Sequence, residues 1–370
     1  MQRFKYFFLF PANHSAFRII IKNFTFIIIS ILLTLTGCKK NEIVEPIIPT
    51  PEEIKPGRRD YVWKEYVLEP SYNYVALLNS MWGASPNDIW VCGQAYLSMS
   101  QVWHFDGSNW IESGDLVPDR DQTSVWGSAA NDIWMSNESG KMFHYDGKEW
   151  TEKTRLKVDW FDYVLINSVW GLSSTEVYAS GFCYQPFPTS KEKNNYGVVF
   201  KYDGKEWKQI NLPIKYTNFG FVRKDKNGFL YIAAFNSDST LGEIYSYDGI
   251  SFSNIVTFND LPYLVDVAGS VYTHIEKKIS RLINGGFNVL QNLSGSELYN
   301  AILGGRSIKD FFAISKNGIG HYNGSDFVQV YPLAFRVFVP ATLIFEKDVF
   351  FLLADNNIRK TRILHGKLIE

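Results

Sequence analysis

The stretch Ser124-Val125-Trp126-Gly127-Ser128-Ala129-Ala130-Asn131-Asp132-Ile133-Trp134, followed by His144-Tyr145-Asp146-Gly147-Lys148-Glu149-Trp150, occurs again on both sides of itself. Upstream, Ser80-Met81-Trp82-Gly83 leads to Asn87-Asp88-Ile89-Trp90 and His104-Phe105-Asp106-Gly107-Ser108-Asn109-Trp110. Downstream, Ser168-Val169-Trp170-Gly171 leads to Glu176-Val177-Tyr178 and Lys201-Tyr202-Asp203-Gly204-Lys205-Glu206-Trp207. The Asp-Gly marker continues at Asp248-Gly249 and, altered, at Asn284-Gly285, Asn323-Gly324 and His365-Gly366. A period near forty with about four short strands per unit predicts an all-β chain folded as a single β-propeller. Each unit reads as a Trp-Gly strand, an Asn-Asp turn, an Ile-Trp strand, a loop, a His-Tyr strand, the Asp-Gly turn, and a strand opening on Trp.

Seven markers predict seven four-stranded blades, with six or eight as the alternatives because the later units are weaker. Tyr61-Val62-Trp63-Lys64-Glu65-Tyr66-Val67 resembles a fourth strand without a blade of its own, while the chain stops four residues after Gly366. An N-terminal strand that completes the last blade closes the ring and removes an unpaired edge. Asp-Gly is expected to form a two-residue type I′ hairpin, in which both central residues take positive φ. Trp82, Trp126, Trp170, Trp110, Trp150 and Trp207 recur in step with the strands, so they are assigned to the core between blades. His104, His144 and His321 are likewise repeat positions, expected to bond a neighbouring blade.

Aromatic residues make up 16% of the chain, which suits pleated, half-buried strands. The formal net charge is −1, and Arg3, Lys5, Arg18 and Lys22 all precede Cys38 with no acid among them. A mildly acidic body lacks the concentrated positive patch that nucleic acid requires. The three cysteines, Cys38, Cys92 and Cys183, have no zinc-site spacing. Cys92 and Cys183 fall in non-neighbouring units and are expected to be buried free thiols. No cofactor and no metal site are expected, and the chain reads as a monomer.

Phe24 to Thr36 is an uncharged, largely apolar run after a basic segment, too short to cross a bilayer core of about 30 Å. It reads as the apolar part of a signal peptide. Leu35-Thr36-Gly37-Cys38 resembles a bacterial lipobox, which implies a signal peptide over 1–37 and a lipid anchor on Cys38. Lys39-Lys40-Asn41-Glu42 lacks the Asp after the cysteine that resembles an inner-membrane retention signal, so the resemblance implies the outer membrane, with exposure at the cell surface as an extension. Residues 38–59 contain Pro46, Pro49, Pro51 and Pro56 and read as a tether, leaving 60–370 as the propeller.

First-to-second and third-to-fourth turns of each blade share one face; second-to-third loops and inter-blade connections share the other. The segments that break the repeat, 94–100, 113–123, 153–165, 182–197, 211–219 and 235–242, all belong to the second face, where binding groups are expected. Asp159-Trp160-Phe161-Asp162-Tyr163 sets two acids beside aromatics, a combination suited to stacking a sugar and bonding its hydroxyls. Tyr184, Phe187 and Tyr196 form an aromatic arm in the longest insertion, and Asp119-Arg120-Asp121 adds polar groups on a neighbouring connection. These residues, Phe161 excepted, are the ten of the candidate ligand-binding set.

The pattern Trp-Gly-x-x-x-x-Asp-Ile-Trp with Tyr-Asp-Gly-x-x-Trp resembles the repeats of secreted bacterial β-propellers, including lipoproteins of Bacteroidetes, over nearly all of residues 60–370. It is distantly similar to the Asp-box of sialidase-type propellers, although Asp and Gly are adjacent here and no sialidase-like arginine cluster or Tyr-Glu pair is recognisable. The resemblance implies a non-catalytic lipoprotein that binds a glycan or a partner protein through the loop face. Two alternatives stand beside it: a glycoside hydrolase or lyase using Asp121, Asp159 and Asp162 across the central opening, and a scaffold in envelope assembly.

Overall fold

The computed structural model describes residues 55–70, 76–95, 101–185, 195–213, 217–236, 240–334, 337–355 and 360–370. After β1 (Tyr61–Leu68), blade one is built from β2 (Ala76–Ser85), β3 (Asp88–Ala95), β4 (Gln101–Phe105) and β5 (Trp110–Glu112), and blade two from β6 (Gln122–Ala129), β7 (Asp132–Asn137), β8 (Lys141–Tyr145) and β9 (Trp150–Arg155). Blade three contains β10 (Tyr163–Ser173), β11 (Glu176–Tyr184), β12 (Tyr196–Tyr202) and β13 (Trp207–Gln209); blade four contains β14 (Asn218–Lys224), β15 (Leu230–Phe235), β16 (Gly242–Tyr247) and β17 (Phe252–Phe258). Blade five follows with β18 (Val265–Val267), β19 (Ser270–Ile275), β20 (Lys278–Ile283) and β21 (Gly286–Asn292), then blade six with β22 (Leu298–Ser307), β23 (Asp310–Ser315), β24 (Gly318–Tyr322) and β25 (Phe327–Pro332). Blade seven has β26 (Val337–Ile344), β27 (Asp348–Asp355) and β28 (Lys360–Leu368), and takes β1 as its fourth strand.

The result is a seven-bladed β-propeller closed by its N-terminal strand, antiparallel from Tyr61 opposite Leu368 to Leu68 opposite Thr361. His365-Gly366 is therefore no turn. It lies inside β28, and Gly366 is small because the Trp63 ring fills the space a Cβ would take. Six blades carry the Asp-Gly or Asn-Gly marker, and the seventh needs none because its fourth strand arrives from the other end of the chain.

Burial follows position in the blade. Second strands are covered on both faces by neighbouring sheets, so β27, Asp-Val-Phe-Phe-Leu-Leu-Ala-Asp, is buried throughout. Fourth strands lie at the rim, and β9 and β21 are largely exposed. The core is consequently a series of inter-blade layers, in which each fully buried Ile, Val or Phe contributes about 1.5–3 kcal/mol.

The repeated residues make these layers. The Trp82 ring lies over Gly127 of the next blade, and Trp126 lies over Gly171. The serine two residues before each Trp joins the same pairs of blades, since Val125 N–H donates to Ser80 Oγ at 3.0 Å and Val169 N–H to Ser124 Oγ at 2.9 Å. Farther out, Trp90 meets Trp150 edge-on at 5.5 Å and Trp134 meets Trp207 at 5.3 Å, each one blade on. Tyr61 takes that outer position in the last blade, edge-on to Phe312 at 5.8 Å. Such aromatic pairs contribute about 0.5–1.5 kcal/mol beyond burial.

Two local expectations are corrected. At Asp106, Asp146, Asp203, Asp248 and Asn323 only the following Gly has positive φ, so these turns are not type I′. The side-chain oxygen instead accepts the N–H groups two and three residues on, at 2.9 and 3.1 Å for Asp146. Of the marker turns, Asn284-Gly285 alone has positive φ at both residues, 52° and 74°. The histidines, second, bond an acid of their own blade rather than a neighbour. His104, His144, His321 and His365 approach Asp88, Asp132, Asp310 and Asp348 at 2.8, 2.7, 2.8 and 2.6 Å. Each imidazole also lies against the aromatic residue facing it in the ladder, Trp90, Trp134, Phe312 or Phe350.

The blade-six pair is covered by the segment before β1. Gly57 passes so close that a Cβ would lie 2.7 Å from both Asp310 and His321, and Arg59 Nε donates to His321 Nδ1 at 3.3 Å. With Nδ1 accepting from Arg59, Nε2 is the nitrogen that donates to Asp310 Oδ1, at 2.8 Å. Cys92 and Cys183 are buried free thiols.

Candidate functional site

On the uniform face, a Cβ on Gly107 or Gly147 would touch Asn87 or Asn131, which places the first-to-second and third-to-fourth turns side by side. The opposite face carries the irregular segments. Its best-defined part surrounds the turn between β7 and β8. Asn137 is buried there and its Oδ1 accepts the N–H groups of Ser139 and Lys141 at 3.1 and 2.9 Å. The connections before and after blade two both fasten to this turn: Glu138 N–H donates to Asp121 O at 3.1 Å, and Leu156 N–H to Gly140 O at 2.8 Å.

Asp119, Arg120 and Asp121 form the first connection. Asp119 Oδ2 lies 2.9 Å from Lys141 Nζ, its Oδ1 accepts the Arg120 N–H at 2.9 Å, and its carbonyl accepts Gln122 Nε2 at 2.6 Å. Partial burial opposes ionisation of Asp119, but the bonds from Lys141 and Arg120 outweigh it and hold its pKa below the ordinary value. Asp121 has φ of 57° and its carboxylate lies 3.7 Å from Arg120 Nε. Across the turn Glu138 is bonded by Gln94, and burial together with the Asp121 charge raises its pKa. Asp119 is thus a staple between connection and turn, whereas Arg120 is exposed.

The second connection is arranged differently. Leu156 is buried, and Val158 and Phe161 pack on the blade-three core, so apolar anchors flank Trp160 on both sides. Trp160 takes φ of 72°, which turns its side chain away from those anchors, and it is 93% exposed. Such a backbone costs about 1–2 kcal/mol per residue for a bulky side chain. It is held by Gln185 Nε2 donating to Trp160 O at 2.5 Å and by Phe161 N–H closing a turn to Val158 O at 3.2 Å.

Beside it, Tyr163 and Tyr184 face each other across the β10–β11 ladder, stacked at 5.2 Å and 20°. Tyr196 packs on Phe161 at 4.9 Å, and Phe182 on Tyr184 at 5.9 Å. Asp159 and Asp162 are exposed on either side of Trp160-Phe161. Asp159, Trp160, Asp162, Tyr163, Tyr184 and Tyr196 are therefore brought to one place, with Asp119, Arg120 and Asp121 across the β7–β8 turn. Phe187 lies outside the described residues.

Gln185, Phe161 and Glu138 were not among the sequence candidates. Gln185 adjoins Tyr184, but nothing in a lone glutamine announces a bond to a carbonyl twenty-five residues back. Chemically the site is an aromatic ledge with two exposed carboxylates that form no ion pair among the described residues. Among the described residues no group of three His, Cys, Asp or Glu side chains is placed to hold a metal ion, and no helix is long and apolar enough to cross a membrane.

No family model and no curated protein matches the chain. Solved structures do share its fold. YCF48 bound to D1 peptide superposes with a TM-score of 0.57 at 14% identity, covering 86% of this chain and 100% of that one. YCF48 from Cyanidioschyzon merolae gives 0.53 at 13% identity, covering 83% and 98%. At these identities the likeness establishes the propeller and leaves the ligand to the site itself.

Proposed function

We propose that this chain is a non-catalytic binding protein that holds a partner protein on the loop face of its ring, with Trp160 as the anchor. The observation that carries the reading is the exposure of Trp160 on a strained backbone fixed from both sides. Tryptophan is the residue most enriched among interface hot spots, where one such side chain contributes about 2 kcal/mol or more. A rigid presentation also lowers the ordering cost of binding. The peptide named with one of the similar propellers belongs to that protein, and a comparable role here is part of the proposal.

A glycan is the second reading, favoured by one feature: Asp159 and Asp162 flank the indole, so a sugar stacked on Trp160 would find hydroxyl acceptors beside it. The proposal includes the targeting scheme read from the N-terminus, with a signal peptide over 1–37, a lipid on Cys38, a proline-rich tether, and placement at the outer membrane facing the cell surface. Pull-down and glycan-array screening with the wild type and Trp160→Ala tests the binding reading. Capture of a protein by the wild type and its loss in the variant is the expected result; retention of every ligand by Trp160→Ala contradicts it. Fractionation of Cys38→Ala tests the anchor, which requires the variant to leave the membrane fraction.

A further inference from the structure

Arg223 stands where three other blades carry tryptophan. It faces Tyr231 across the β14–β15 ladder as Trp82 faces Trp90, Trp126 faces Trp134 and Trp170 faces Tyr178. That register places it on an inner strand, just before the turn to the uniform face and on the side away from Trp160. Its guanidinium carbon is 5.4 Å from the Trp170 ring centre and 5.9 Å from that of Phe221. Stacking satisfies the faces of a guanidinium. The N–H groups lie in its plane and need acceptors there.

Among the described residues one acceptor is present. Nη1 donates to Val222 O at 2.7 Å, while Nε is buried without a partner. Among the described residues no carboxylate forms an ion pair with it. Arg306 and Arg362 also leave one buried nitrogen without a partner, but both are ion-paired, Arg306 with Asp310 and Arg362 with Glu65 and Asp355, so the missing carboxylate is what sets Arg223 apart. Asp266 of blade five reaches Arg223 only through its field, and its Oδ1 is taken by Gly269 N–H at 3.0 Å. Lys224 is turned to Glu176 at 2.5 Å. Burial pushes the guanidinium down to about 10, so it stays charged at neutral pH in a place where charge is costly.

We infer that Arg223 is the anchor of an oxyanion site on the inner wall of the ring, which takes a carboxylate through the Nε and Nη2 edge. On that edge the two N–H bonds run parallel, the geometry that meets a planar carboxylate with two hydrogen bonds. A single charge matches the one guanidinium, which has no ion pair among the described residues. A phosphate dianion would bring a second charge into the field of the Asp266 carboxyl, whose pKa burial raises. The carboxylate belongs either to a small acid or to a polypeptide chain end.

The test is a titration of the Arg223 Nε–H resonance at pH 7 and constant ionic strength, with acetate, phosphate, triglycine, triglycine amide and chloride as probes. Acetate is expected to shift the resonance saturably and chloride is not. Arg223→Gln is expected to weaken the thermal protection given by acetate at least tenfold in apparent affinity. Arg223→Trp installs the residue of blades one to three and is expected to raise Tm while abolishing the response, which a purely structural arginine would not do. If that variant does not fold, Arg223→Gln decides alone. Triglycine binding tighter than acetate, with the amide silent, assigns a chain end; equal binding assigns a small acid. A response no larger than that of chloride, a response unchanged in Arg223→Gln, or a preference for phosphate overturns the assignment.

Discussion

The Trp126 indole covers Gly171 of the next blade so closely that a Cβ on Gly171 would lie 2.7 Å from a ring carbon. The Trp-Gly dipeptide is therefore one half of two contacts: its Trp reaches forward to the following blade, and its Gly receives the Trp of the preceding one. Gly171→Ala should displace the Trp126 ring and destabilise the protein by about 1–3 kcal/mol, the usual cost of overpacking. Differential scanning calorimetry should show a Tm lower by several degrees, and an unchanged Tm would remove the contact from the account.

Acid should weaken the blade-three turn in a defined window. The N–H of Glu206, the Lys208 ammonium and the N–H of Lys205 together lower Asp203 to about 2. Because the folded value lies below the unfolded value of about 4, the stabilisation is present above pH 4 and lost as pH falls toward 2. Asp203→Asn keeps the acceptor oxygen, as Asn323 does in blade six. It should flatten the dependence of Tm on pH between about 4 and 2, where the wild type slopes.

A second window comes from histidine. Burial lowers the pKa of His365, and the Asp348 carboxylate opposes this without cancelling it. A histidine depressed in the folded state gives stability that is present above its unfolded value of about 6.5 and declines as pH falls below it. His365→Gln should flatten the urea midpoint between pH 6.5 and 5, leaving a residual slope from His274, which burial also lowers. A midpoint that rises on acidification in the wild type would contradict the assignment.

How much of this was legible depended on distance along the chain. The ring, its seven blades and its N-terminal closure follow from a repeat whose spacing is local, and Tyr61 to Val67 could be read as an orphan fourth strand because the other fourth strands were intact. The turn chemistry was misread, since type I′ and side-chain-capped Asp-Gly loops share the same dipeptide and differ in the φ of Asp. His365-Gly366 was misread because the Trp63 contact and the turn glycines both select Gly. The Asp–His pairs escaped notice because the two residues lie 11 to 17 positions apart. Arg223 becomes visible only through ladder register, blade four having lost the Trp-Gly that would align it by eye. Trp160 was legible as a candidate because it interrupts the repeat, but its outward direction comes from a backbone conformation that composition does not reveal.

Repeat and site should separate when one variant of each is measured for both stability and binding. Asp146 caps its turn with two hydrogen bonds, and Trp160 extends into solvent. Asp146→Ala should lower Tm and leave ligand capture at the wild-type level below the transition.

The most direct measurement is therefore the dissociation constant of the captured ligand for Trp160→Ala, taken beside its Tm. The account predicts at least a tenfold weaker affinity with a Tm within about a degree of wild type. A Tm lowered by several degrees with unchanged affinity would place Trp160 in the architecture and contradict the central claim.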